Sequence, residues 1–319
     1  MRDRVTHPHN YGPGMSNELE DAQPLAAGAP LTEGTISANG IRFGYLEIGD
    51  GPLALLLHGF PDSAWTWRHL MPALADAGFR AVAPFLRGYA PSEVPADGYF
   101  QPGAIASDAN ALHEVLGGDE RAVLIGHDWG ALASYSAAAH QPQRWSRLVA
   151  CAVPPPASLA NAFFSYDQLQ RSWYMFFFQS PFAEMVVPLN DLEFIDRLWS
   201  DWSPGFDASS ELEHVKAALR DPANLTAAIA YYRATIGTGP RHAVYDLVEA
   251  AGSTAPPQPT LYLHGRTDGC MGVDLAADGA RDSLTAEGSR VEIVDGAGHF
   301  LHLERPDLVN ELIVDFLTT

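Results

Sequence analysis

Asp128 stands at the centre of Gly126-His127-Asp128-Trp129-Gly130, directly after the apolar run 122–125 and before the helix-compatible Ala131-Leu132-Ala133-Ser134. Glycines on either side allow a sharp strand-to-helix turn that lifts the central side chain above a sheet. A carboxylate there is already ionised at neutral pH, so it attacks carbon without a base to activate it. Attack on a saturated carbon bearing a leaving group makes an ester of Asp128, which then needs water. An aspartate that merely caps a helix is the plainer reading of the same residues, so the other reacting groups have to decide.

The base that a hydrolytic second step requires is offered by Gly296-Ala297-Gly298-His299-Phe300. Of twelve histidines, His299 is singled out by its place in the last strand-to-helix connection, which completes the chain order nucleophile, carboxylate, histidine. His302, one helical turn on, reads as structural. The carboxylate that orients His299 is most simply Asp268, in His264-Gly265-Arg266-Thr267-Asp268-Gly269, with Asp274 and Asp295 as competitors; its task would be to hold the imidazole tautomer and stabilise the imidazolium. An oxyanion forms when water adds to the ester, so two amide donors are expected to converge on it. The N–H groups of Trp129 and of Phe60, in His58-Gly59-Phe60-Pro61, are the candidates.

These groups need elements that bring them to one place. Leu53-Ala54-Leu55-Leu56-Leu57 is an unbroken apolar run of strand length, as in a parallel strand covered on both faces. Similar runs fall at 79–83, 122–125, 148–153, 259–264 and 290–294, with helical patterns at about 67–77, 104–116 and from Pro306. The alternation predicts a mostly parallel, doubly wound α/β sheet with sites at the carboxyl ends of the strands. Asn39-Gly40 between two short alternating runs predicts a hairpin. After Pro154-Pro155-Pro156 the chain turns rich in Trp, Phe, Tyr and Met at helical spacing. The expected organisation is a flexible lead-in over 1–34, a core over 35–153 and 241–319, and an inserted helical cap over 154–240.

Composition narrows the class of partner. A formal charge of −20, from 19 basic and 39 acidic residues, repels phosphate backbones and anionic lipid. Neither nucleic acid nor a membrane is expected as a partner. Cys151 and Cys270 lack metal-ligand spacing and read as ordinary core thiols. No run reaches the length of a membrane span, residues 1–30 hold no apolar leader, and the expected location is cytoplasmic. Oligomeric state stays open, a homodimer being one option.

Together the motifs HGFP at 58–61, GHDWG at 126–130, GRTDG at 265–269 and GAGHF at 296–300, with LRGY at 86–89, resemble the epoxide hydrolase and haloalkane dehalogenase branch of the α/β-hydrolase superfamily. The likeness covers about residues 35–319 and is closer to the epoxide hydrolases. It implies an α/β-hydrolase fold and two cap tyrosines that grip the epoxide oxygen. Their matches are Tyr174 in Trp173-Tyr174-Met175 and Tyr232 in Tyr231-Tyr232-Arg233, with Tyr231 as the neighbour to be told apart. The chemistry agrees, since ring opening develops alkoxide charge that a phenol can bond and protonate. Trp173, Phe177 and Phe300 are expected to line the pocket. The expected substrates are a small hydrophobic epoxide and water, with no metal or organic cofactor. Two alternatives stand beside this: a haloalkane dehalogenase, with the Trp129 indole and one of Trp173, Trp199 or Trp202 holding halide, and a catalytically silent fold member that binds a hydrophobic ligand.

Overall fold

The computed structural model describes residues 30–319. The expected lead-in lies almost entirely outside the described residues; its last part does not, because the first strand already begins at Thr32.

Eight strands form one sheet: β1 (Thr32–Ala38), β2 (Ile41–Ile48), β3 (Leu53–Leu57), β4 (Arg80–Pro84), β5 (Val123–His127), β6 (Arg147–Cys151), β7 (Thr260–Gly265) and β8 (Arg290–Val294), in the order β1-β2-β4-β3-β5-β6-β7-β8. β1 and β2 make the antiparallel hairpin, and Asn39 and Gly40 both take the positive φ that its tight turn demands. From β4 onward every pairing is parallel. All five residues of β3 are buried, as a strand covered on both faces requires.

Helices Leu70–Asp76, Pro102–Val115, Trp129–His140 and Pro306–Thr318 connect or flank the strands. Between β6 and β7 the described chain is helical, running through Tyr166–Arg171, Trp173–Phe177, Leu189–Trp202, Ser209–Leu219 and Pro222–Ile236. The buried Arg87 guanidinium is held by both oxygens of Asp108 at 2.6 Å, and Asp108 in turn accepts from Asn39 Nδ2 at 2.8 Å. A buried pair so fully bonded ties the 86–89 loop to the helix behind it. No helix among the described residues is long and apolar enough to cross a membrane.

The consequence for chemistry is positional. β3, β5, β7 and β8 run parallel, so the segments that follow them, carrying Phe60, Asp128, Asp268 and His299, emerge at one edge of the sheet.

Candidate active site

Asp128 sits at the turn between β5 and helix Trp129–His140 with φ 53° and ψ −117°, a strained conformation for a residue with a Cβ. The turn closes only because Gly126 has no side chain; a Cβ there would lie 2.3 Å from the carbonyl oxygen of Gly130. Gly59 plays the matching part from the β3 side, where a Cβ would come within 2.4 Å of Asp128 Oδ1. That closeness lets the next amide, Phe60 N–H, donate to Asp128 Oδ1 at 2.8 Å. His58 braces the loop: its Nδ1 lies 2.8 Å from the Gly59 carbonyl and its Nε2 accepts from the Leu86 amide at 2.9 Å. Trp129, whose amide is the other expected donor, begins the helix directly after Asp128.

On the other side of Asp128 lies His299, with Nε2 3.6 Å from Asp128 Oδ2 and Nδ1 2.9 Å from Asp268 Oδ2. Asp268 Oδ1 is occupied by the amides of Cys270 and Met271 at 2.7 and 2.8 Å. The three groups are buried. Burial works against the charge on His299, yet the carboxylates of Asp268 and Asp128 outweigh it and push its pKa up to about 10. Burial likewise opposes charge on each carboxyl, and the imidazolium between them holds both below the usual carboxylate range. Asp295 is exposed and pairs with Arg266, and Asp274 is exposed, so neither competitor reaches His299.

A cavity of about 500 Å³ opens over Asp128. Tyr174 and Tyr232 both line it, their rings edge to face at 5.5 Å, and the buried Tyr232 hydroxyl makes no hydrogen bond of normal length among the described residues. Burial raises both phenols well above their ordinary pKa, so they stay protonated donors. Tyr231 is told apart cleanly, because its hydroxyl turns away to the Arg87 carbonyl at 2.8 Å. The remaining wall is largely apolar, including Leu132, Leu159, Phe163, Met175 and Ile236.

Three expected lining residues are elsewhere. Helix Trp173–Phe177 presents Tyr174 to the cavity, so its neighbours on other faces of the turn point away: Trp173 is 47% exposed, and Phe177 stacks on Phe194. Phe300 is buried behind His299, stacked on Trp199 at 3.5 Å. Trp199 spends its indole N–H on the Pro61 carbonyl at 2.8 Å. His302 is structural in setting, stacked on Trp67 and 2.6 Å from the Thr66 hydroxyl.

Cys270 packs in the core as expected, with one addition. It is buried, but it also lines the cavity, with its Sγ 3.5 Å from the Tyr174 hydroxyl. Its place two residues past Asp268, in the turn whose amides hold that carboxylate, is the one signal in the sequence that brings it here. Cys151 lies at the end of β6 and is fully buried.

Residues 52–306 match the model of the α/β hydrolase fold family. The chain belongs to that family, in its epoxide hydrolase branch. It is 32% identical over 290 residues to epoxide hydrolase 3 of Xenopus tropicalis, covering 88% of this chain and 75% of that one. It is 30% identical over 325 residues to epoxide hydrolase A of Mycobacterium tuberculosis, covering 91% and 98% of the two chains. Among solved structures, epoxide hydrolase A from Mycobacterium thermoresistibile is 28% identical with a TM-score of 0.74, over 90% of this chain and 98% of that one. The order of the strands and the grouping of Asp128, Asp268 and His299 at their carboxyl ends are what membership leads one to expect.

Proposed function

We propose that this protein hydrolyses a hydrophobic epoxide to a vicinal diol through a covalent ester on Asp128. The observation that carries the reading is the joint placement of Asp128 and His299 at 3.6 Å, under two cavity-lining phenols. A serine-type site would need a base to activate its nucleophile; this one has a carboxylate with an imidazolium poised for a second step.

In the first step a carboxylate oxygen of Asp128 attacks a ring carbon, the carbon–oxygen bond breaks, and Tyr174 or Tyr232 protonates the departing alkoxide. Forming the ester removes one of the two negative charges that raise the His299 pKa. His299 then returns a proton to the tyrosinate and becomes a neutral base. In the second step His299 Nε2 takes a proton from water as the oxygen adds to the Asp128 carboxyl carbon, and the amides of Phe60 and Trp129 hold the oxyanion. Collapse expels the diol oxygen, which takes a proton. The other proton stays on His299 between Asp128 and Asp268, restoring the starting state. Residues 154–240 act as the cap that closes the cavity and supplies both phenols, while 35–153 and 241–319 supply the triad.

The dehalogenase alternative has the weaker support. The buried Trp129 indole N–H makes no hydrogen bond of normal length among the described residues, which suits a halide. Trp199, however, is committed to Pro61, and none of Trp173, Trp199 and Trp202 lines the cavity. Incubation with an aryl epoxide and a chain-length-matched bromoalkane tests the assignment. Diol formation without bromide release is expected; bromide release without any diol contradicts it.

A further inference from the structure

We propose that Asp128, Cys270 and His299 form a soft-cation site inside the reaction cavity, which takes zinc or cadmium and shuts the enzyme off. The inhibitory half of this statement rests on the function proposed above; the binding half does not.

One ligand atom from each residue, a carboxylate oxygen, the thiol sulfur and an imidazole nitrogen, lie within 4.8 Å of one another. His299 Nε2 is buried, and its contact among the described residues is the ion pair to Asp128. Its 3.6 Å separation from Asp128 Oδ2 is close to the edge of a ligand tetrahedron around zinc, about 3.4 Å for metal–ligand bonds of about 2.0–2.1 Å. Among the described residues the Cys270 sulfur makes its hydrogen bond to the Tyr174 hydroxyl at 3.5 Å, a weak contact to give up in moving toward an ion.

The surroundings are those of a zinc ligand set. Asp268 Oδ2 holds His299 Nδ1 at 2.9 Å, so the ring presents Nε2 to the site, as in the carboxylate–histidine pairs behind many zinc ions. Asp128 and Cys270 both face the cavity, which gives the ion an entry path and leaves room for water as fourth ligand. Thiolate and imidazole select zinc and cadmium over magnesium, which prefers oxygen ligands.

The test uses the intact chain with cadmium alone and zinc alone as probes. Cadmium titration is expected to give one equivalent of a thiolate-to-metal ultraviolet band, absent from Cys270→Ser and retained in Cys151→Ser. Zinc is expected to inhibit epoxide turnover reversibly, a chelator to restore it, magnesium to have no effect, and Cys270→Ser to raise the half-inhibitory zinc concentration at least about tenfold. A missing band in wild type, a band that persists in Cys270→Ser, or equal zinc sensitivity of the two proteins would overturn the proposal. The band reports thiolate only, so an ion held by the other buried trio, Asp62, His127 and His302, does not register. Should the chain prove inactive on epoxides, the band still decides whether the site exists.

Discussion

His299 is shared between two carboxylates, 2.9 Å from Asp268 through Nδ1 and 3.6 Å from Asp128 through Nε2. With a pKa pushed up to about 10 it is an imidazolium at neutral pH, hence an electrostatic partner of Asp128 before it is a base. On the proposed mechanism it becomes a base only after Asp128 has lost its charge to the ester, so the two chemical steps are separable by mutation.

Replacing the base should therefore trap the intermediate. His299→Gln is expected to add the mass of one substrate molecule per chain in a single burst and then stop, with turnover reduced at least about 10³-fold. Intact-protein mass measurement after mixing with epoxide reads this directly. Continued turnover, or no adduct, would place the base elsewhere.

On the proposed mechanism the two phenols act on ring opening and not on ester hydrolysis. Tyr174→Phe and Tyr232→Phe are each expected to slow adduct formation about 10²-fold, and the double variant more than either. The decay of a preformed adduct should be unchanged. Tyr231→Phe serves as the comparison, since its hydroxyl bonds the Arg87 carbonyl outside the cavity. Rapid-quench kinetics separate the two phases.

How much of this could be read from sequence follows from where each signal resides. Buried parallel strands carry continuous apolar runs, so β3 and the order of the four connections are legible, and with them the meeting of Asp128, Asp268 and His299 in one place. The lining is not. Helix Trp173–Phe177 is five residues long, and which of its faces meets the cavity is decided by packing against Phe194 and Trp202, far away in sequence. Cys270 has the composition of a core thiol, and only the fold of the turn after Asp268 brings it to the cavity wall. The wall at Leu159, Phe163 and Ile236 comes from segments with no motif at all.

A buried acid beneath the site gives stability a pH dependence. Burial raises the pKa of Asp62 from 3.8 to about 8, with the Thr66 and Ser63 bonds working the other way. Between these values the unfolded chain has lost a proton that the native protein keeps, so this group's contribution to stability falls as pH rises from about 4 to about 8 and then levels off. Asp62→Asn removes that titration. Urea midpoints measured across this range should decline less steeply in the variant than in wild type, and parallel curves would show that Asp62 ionises normally.

The Trp199 indole N–H satisfies the Pro61 carbonyl next to the oxyanion loop, while its ring packs flat on Phe300. Trp199→Phe keeps much of the stacking but leaves that carbonyl unpaired, at a cost of about 1–3 kcal/mol. Denaturant unfolding is expected to report a loss of this size; an unchanged midpoint would mean that the bond contributes nothing.

Oxygen transfer into the nucleophile tests the central claim most directly. A single turnover is run in heavy-oxygen water with enzyme in excess over epoxide, and the peptide containing Asp128 is then weighed. The ester route places one heavy oxygen in the Asp128 carboxylate and none in the diol, because water attacks the carboxyl carbon. Label found in the diol with none in that peptide would mean that water opens the ring itself, and would contradict the account.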